Sequence, residues 1–152
     1  MGALVFPSMV RDQVLEQHAQ LREILERVIV DATFRQSAAR ESGGRRLEAT
    51  ARELCQRFRD HLAFEDEVLR PVFAVIDAWG PERVKDLGDE HDRQRRELDA
   101  FLARVELRDN VDALAVELRG LAEDLLRDMK EEEEGCLRAD LLIGDSLPFE
   151  RR

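Results

Sequence analysis

Histidines and carboxylates that could bind a metal ion occupy positions where helical periodicity places core residues. His61 and Glu65 are four residues apart, so in a helix their side chains project from the same face. Leu54, Phe58 and Val68 share that face at spacings of three and four residues. Because imidazole and carboxylate groups are costly to bury alone, something must satisfy them, and a bound metal ion is one candidate.

The same pattern recurs on three other stretches with helical periodicity. All three histidines of the chain fall on apolar stripes, and the stripe containing Leu121 and Leu125 becomes acidic at its end. Since roughly two-thirds of a helix surface faces outward, chance placement would scatter such residues. The candidate metal ligands are therefore His18, His61, Glu65, His91, Asp128 and Glu132.

Three imidazoles and three carboxylates form a mixed nitrogen and oxygen donor set. Such a set suits Fe, Mn or Zn better than Cu(I) or Ca²⁺. Carboxylates can bridge two ions while histidines complete each shell, so the set is large enough for a di-metal centre. The alternative is that each histidine is a hydrogen-bonded core residue in a metal-free protein.

Elements that could bring these residues together are predicted from the apolar spacing. The composition, rich in Leu, Glu, Arg and Ala, is typical of helices. We predict an all-α fold, an up-down-up-down antiparallel four-helix bundle in which the inward residues meet at one level. Ser8 is the predicted first cap, Ser37 to Arg46 a solvated connection, and Arg108-Asp109-Asn110 a capping turn. The predicted helices are Met9 to Phe34, Leu47 to Trp79 with a kink at Pro71, Pro81 to Val105, and Val111 to an exit at Gly135.

The length of 152 residues fits one domain. We expect an N-terminal arm at 1–8, the bundle at 9–138 and a C-terminal extension at 139–152. The net charge of −10 argues against nucleic-acid and anionic-membrane partners. Two isolated cysteines, Cys55 and Cys136, and the lack of a signal-like N-terminus favour the cytoplasm.

Three blocks of the sequence carry a family resemblance. They are Leu15-Glu16-Gln17-His18, His61-Leu62-Ala63-Phe64-Glu65 and Glu90-His91-Asp92-Arg93. In this order, with an acidic pair on the last helix, they resemble the hemerythrin-like cation-binding (HHE) family over about residues 9–138. Ferritin-like di-iron bundles use Glu-x-x-His, which is lacking here because no histidine has a glutamate three residues before it.

The resemblance implies a non-haem iron centre, usually di-iron, that binds O2 or a related small ligand or responds to iron. It implies His18 and His61 on one iron, His91 on the other, and Glu65 and Glu132 as bridges. No nucleophile elbow or phosphate loop is visible, so binding or sensing is favoured over enzymatic turnover, with weak oxidase or peroxidase activity as a further hypothesis. A homodimer stays open.

Two residues depart from the family pattern. Arg95 stands where the third helix of hemerythrins carries a second histidine, and Asp128 stands where the fourth helix usually has one. Aspartate can bind iron, whereas arginine cannot. An alternative hypothesis follows, in which a buried Arg95–Asp128 pair replaces one metal and leaves a mononuclear or metal-free helical interaction module.

Overall fold

The computed structural model describes residues 4–35, 40–106, 110–142 and 149–150. Within these ranges the chain forms four α-helices: α1 (Pro7–Arg35), α2 (Arg40–Ile76), α3 (Gly80–Glu106) and α4 (Val111–Glu134). Helix α1 packs against α4 and α2, and α2 packs against α3. The predicted antiparallel four-helix bundle is confirmed.

Helix α2 begins earlier than predicted, because the predicted connection is helical from Arg40 onward. A Cβ atom on Gly44 would lie 2.9 Å from Cγ2 of Val111, so this glycine allows close packing against the start of α4. The residues Gly43 and Gly44, which fall in the predicted connection, thus belong to a helix. Residues 36–39 of the predicted connection lie outside the described residues.

The first helix begins at Pro7, and Ser8 lies in its first turn rather than at the predicted cap. The backbone N–H groups of Met9 and Val10 donate to the carbonyl oxygen of Phe6, at 3.0 and 3.2 Å. Because this carbonyl takes the first helical bonds, Phe6 is the capping residue.

Helix α2 ends at Ile76, three residues before the predicted end at Trp79, and the chain then turns at Asp77. Pro71 lies inside α2 without ending it. The carboxylate of Asp77 accepts hydrogen bonds from the Trp79 N–H at 2.9 Å and from Arg83 at 2.6 Å. A Cβ atom on Gly80 would lie 2.4 Å from the carbonyl oxygen of Phe73, so the turn requires glycine there.

Both predicted ends of α4 are confirmed. The side chain of Asn110 accepts hydrogen bonds from the N–H groups of Asp112 and Ala113, at 3.0 and 3.3 Å, as an N-cap does. At the other end the N–H of Gly135 donates to the carbonyl of Glu132 at 3.2 Å. Arg108 and Asp109 of the predicted turn lie outside the described residues.

Buried apolar side chains of the described residues form two clusters, one toward each end of the bundle. The larger cluster includes Leu25, Phe58 and Phe101, and the smaller includes Val14 and Phe73. In α1, α2 and α3 the chain passes from one cluster to the other, and after α4 it reaches the smaller cluster at Leu137; the candidate ligands lie near these crossings. His18 lies between Val14 and Leu21, His61 and Glu65 lie between Phe58 and Val68, His91 lies between Leu87 and Leu98, and Asp128 and Glu132 lie between Leu125 and Leu137.

Short backbone pairing joins the two ends of the chain. Strand β1 (Leu4–Val5) pairs antiparallel with β2 (Phe149–Glu150), with Leu4 opposite Glu150. Among the described residues, none of the helices combines the length and apolar character that crossing a bilayer requires.

Candidate metal centre

The polar side chains between the two apolar clusters form a polar layer. Glu65 lies at the centre of this layer and is fully buried. Its Oε1 atom is 2.6 Å from Nε2 of His61 and 3.1 Å from Nε2 of His18. Its Oε2 atom is 3.0 Å from Nε2 of His91. One carboxylate from α2 therefore faces three imidazoles that come from α1, α2 and α3.

The other ring nitrogen of each histidine contacts an oxygen acceptor. An acceptor at Nδ1 favours a ring that is protonated there, which leaves the Nε2 lone pair directed at the centre. Histidines that bind metals show this arrangement, because the outer contact fixes both the tautomer and the orientation of the ring. The pairs are His18 with Glu133 Oε1 at 3.1 Å, His61 with Gln17 Oε1 at 2.9 Å, and His91 with Asp66 Oδ1 at 2.6 Å.

Nε2 lone pairs that face carboxylate oxygens repel them unless a proton or a metal cation lies between. Burial would raise the pKa of Glu65, but its hydrogen-bonding contacts with the rings of His18, His61 and His91 hold this pKa well below its usual range. Burial would lower the pKa of His91, yet the neighbouring carboxylates of Glu65 and Asp66 raise it. The layer thus holds the ionised carboxylate of Glu65, and a proton or a cation between this carboxylate and the facing Nε2 atoms would stabilise both.

Glu132 of α4 brings a second carboxylate to the layer. Its Oε1 atom lies 3.6 Å from Nε2 of His18, is buried, and has no hydrogen-bond donor among the described residues. Burial and the charge of Glu65 raise the pKa of Glu132 well above its usual value. A buried acceptor without a donor is costly, and a cation beside both carboxylates would remove that cost.

The potential ligand atoms of the described residues fall into two groups that share one member. The His18 group consists of His18, His61 and Glu65, and the His91 group consists of Glu65, His91 and Glu132; within each, the ligand atoms lie within 4.8 Å of one another. Glu65 belongs to both groups, because its Oε1 atom faces His18 and His61 and its Oε2 atom faces His91.

Comparison with known families agrees with this geometry. The profile of the Hemerythrin HHE cation binding domain matches residues 9–139. The chain belongs to this family. Searches of curated proteins and of solved structures returned no match. The family is one of cation-binding domains, and five of the six predicted ligands lie in the two groups of potential ligand atoms.

Asp128, the sixth predicted ligand of this HHE domain, is not a member of either group formed by the described residues. Its Oδ2 atom accepts hydrogen bonds from Nε2 of Gln94 at 3.2 Å and from Arg93 at 3.3 Å. Asp128 lies one helical turn before Glu132 in α4. Gln94 and Arg93 hold its carboxylate outside the two groups of ligand atoms.

The predicted Arg95–Asp128 pair is wrong, because Arg95 instead donates to Oδ2 of Asp66 at 2.5 Å. Adjacent helical residues point about 100° apart, so the inward position on α3 next to α4 falls to Gln94, which is buried. Arg95 is turned toward α2. At the family position of a second histidine, this HHE domain therefore uses arginine to hold the acceptor of His91.

Sequence reasoning missed the acceptors behind the histidines. Arg22 donates to both oxygens of Glu133, at 2.9 and 3.0 Å, much as Arg95 holds Asp66. Glu133, which is not among the predicted ligands, is thus part of the site. Each arginine follows a histidine by four residues, and this repeated His-x-x-x-Arg spacing was the available signal.

Cavities reach the layer from two sides of the bundle. One of about 180 Å³ is lined by Gln17 and His61. Another of about 220 Å³ is lined by Glu90, Glu131 and Glu132. Small ligands and ions thus have room beside both groups of this HHE domain.

Proposed function

We propose that this HHE domain is a non-haem iron protein whose centre binds O2 or a related small ligand, or senses iron or oxygen. The observation that carries the proposal is the shared carboxylate of Glu65, with the Nε2 atoms of three histidines aimed at its two oxygens. Three histidines, each oriented by an acceptor at Nδ1, and one shared carboxylate form the kind of donor set that holds one or two iron ions.

In this proposal His18, His61 and Glu65 hold one ion, and Glu65, His91 and Glu132 hold the other. Bound iron supplies a redox-active Lewis acid with open coordination positions that a small ligand can take. Because the mixed donors suit Fe, Mn and Zn alike, iron is favoured by the family resemblance, and metal identity is the first quantity to measure.

Protein groups around the centre orient the donors and limit water. The ring of Phe58 packs edge-on against His61, with centroids 5.7 Å apart. The two apolar clusters lie on either side of the layer, so the imidazoles are held in a dry environment. Gln17, Asp66 and Glu133 accept the outer ring protons and raise the basicity of the inner nitrogens.

Binding or sensing is the activity we propose, in the cytoplasm. Both cysteines are free thiols, which suits a reducing compartment. The cavities beside His61 and Glu132 have the size for a diatomic ligand and a few waters rather than a large substrate.

The test is metal analysis of protein produced with iron, combined with absorption spectra before and after exposure of the reduced form to O2. We expect iron near stoichiometric amounts and a spectrum that changes with O2. Glu65→Gln should lose most of the iron, whereas the matched control Glu53→Gln, an exposed position on the same helix, should keep it. Unchanged iron content in a folded Glu65→Gln variant would show that the centre lies elsewhere.

A further inference from the structure

We propose that the two cation positions are unequal: the His18 group takes iron first and tightly, and the His91 group is a weaker, exchangeable position for a harder cation such as Mn²⁺. This inference rests on the proposed function, because it assigns an order and a preference to the same centre.

Donor chemistry separates the two positions. The His18 group offers two imidazole nitrogens and one carboxylate, the composition of the triad that binds ferrous iron in many non-haem iron proteins. The His91 group offers one imidazole and two carboxylates. Carboxylate and water ligands suit hard cations such as Mn²⁺, so the groups favour different metals.

Arg95 and Asp128, the two residues that depart from the family pattern, do not add donors to the His91 group. Arg95 is held by Asp66, and Asp128 is held by Gln94 and Arg93. A cation there would complete its shell with water. Because water ligands exchange more readily than protein ligands, the His91 group is the weaker position.

Sharing of Glu65 also favours sequential filling. A first cation in the His18 group neutralises much of the charge on Glu65 and places positive charge beside the second position. Like charges a few ångströms apart repel strongly in a poorly solvated site. The second cation therefore meets a less attractive position than the first.

The two cavities that reach the centre differ in the charges that line them. The cleft beside Glu132 contains about 220 Å³ and is also lined by Asp86, Glu90 and Glu131, while its Arg83 pairs with Asp77. That volume holds several waters at about 30 Å³ each.

The cavity beside His61 carries Arg57 together with Asp60, so its charges are mixed. His18, by contrast, is fully buried. A hydrated cation is therefore attracted to the cleft that leads to the His91 group.

The test is an anaerobic titration of the metal-free full chain, first with Fe²⁺ and then with Mn²⁺, with free Mn²⁺ followed by electron paramagnetic resonance. We expect one tight equivalent of Fe²⁺ and a second equivalent at least about tenfold weaker. Mn²⁺ added to the one-iron protein should fill the second position.

Glu132→Gln should abolish the second equivalent and retain the first, whereas Glu123→Gln, an exposed change on the same helix and outside the cleft, should retain both. Two equivalents of equal affinity would overturn the inference and leave the proposed function standing, as would loss of both equivalents in a folded Glu132→Gln variant. Failure of the wild-type chain to bind any Fe²⁺ would remove the proposed function as well. The wild-type titration decides the inequality even if a variant does not fold.

Discussion

At the level of single residues, the six ring nitrogens of the histidines divide into an inner and an outer set. The inner Nε2 atoms face Glu65, and the outer Nδ1 atoms face acceptors of which two are clamped by arginine. Burial would raise the pKa of Asp66, but Arg95 and His91 lower it, so this carboxylate stays ionised behind the ring. The outer contacts therefore control how well the inner nitrogens can bind a cation.

Asp66→Asn should weaken metal binding although Asp66 is not itself a proposed ligand. The amide cannot match the charge of the carboxylate that accepts from His91 and Arg95, so ring orientation and basicity both suffer. We expect a loss of about 10- to 100-fold in affinity, measured by metal titration. Asp60→Asn, at an exposed position on the same helix, is the control, and equal affinities for the two variants would contradict the outer role of Asp66.

Thiol chemistry gives a second prediction at this scale. Burial raises the pKa of Cys55 to about 11, and Cys55 is fully enclosed in the larger apolar cluster. Burial also raises the pKa of Cys136, with the charge of Glu132 adding to the effect. At pH 8 a disulfide-exchange reagent should label neither thiol in the folded protein and both after unfolding in guanidinium. Rapid labelling of Cys55 under native conditions would show that this end of the bundle opens.

At the level of elements, periodicity predicted the four helices and the stripe that carries the ligands. It could not predict which helix a residue near the edge of a stripe would face. Gln94 and Arg95 differ by one position, or about 100°, and the packing of α3 between its neighbours decides that Gln94 meets Asp128. Glu133 was missed for a related reason, because its partners His18 and Arg22 lie on another helix.

Glycine was also ambiguous in the sequence, and the structure separates its uses. Gly80→Ala would place a Cβ atom too close to the backbone oxygen of Phe73, so we expect the free energy of unfolding to fall by about 1–3 kcal/mol. Gly120 has open space around its position in α4, and Gly120→Ala should stabilise the protein by about 0.5–1 kcal/mol. Chemical denaturation measures both. Equal changes of the same sign would mean that the turn at Gly80 relaxes freely.

At the level of the whole molecule, a polar layer divides the core of the described residues into two apolar clusters. His18, Glu65 and His91 are completely buried in that layer, and Glu132 keeps an acceptor without a donor. Buried charges of this kind stabilise a fold only when each is matched. Because every helix contributes to the layer, a cation there contacts groups from the entire bundle and couples its halves.

Metal removal should therefore destabilise the whole bundle in one transition. A ligand at about 100 times its dissociation constant stabilises the native state by about 2.7 kcal/mol. For a domain of this size that corresponds to a rise in Tm of roughly 5–10 °C, which a chelator should abolish in calorimetry or circular dichroism. Glu65→Gln is the matched comparison, because its Tm should be the same with metal and with chelator. The opposite outcome is a wild-type Tm that does not change with the chelator, in protein shown to have lost its metal. That result would mean that protons alone balance the buried carboxylates and that the four helices fold without the ion.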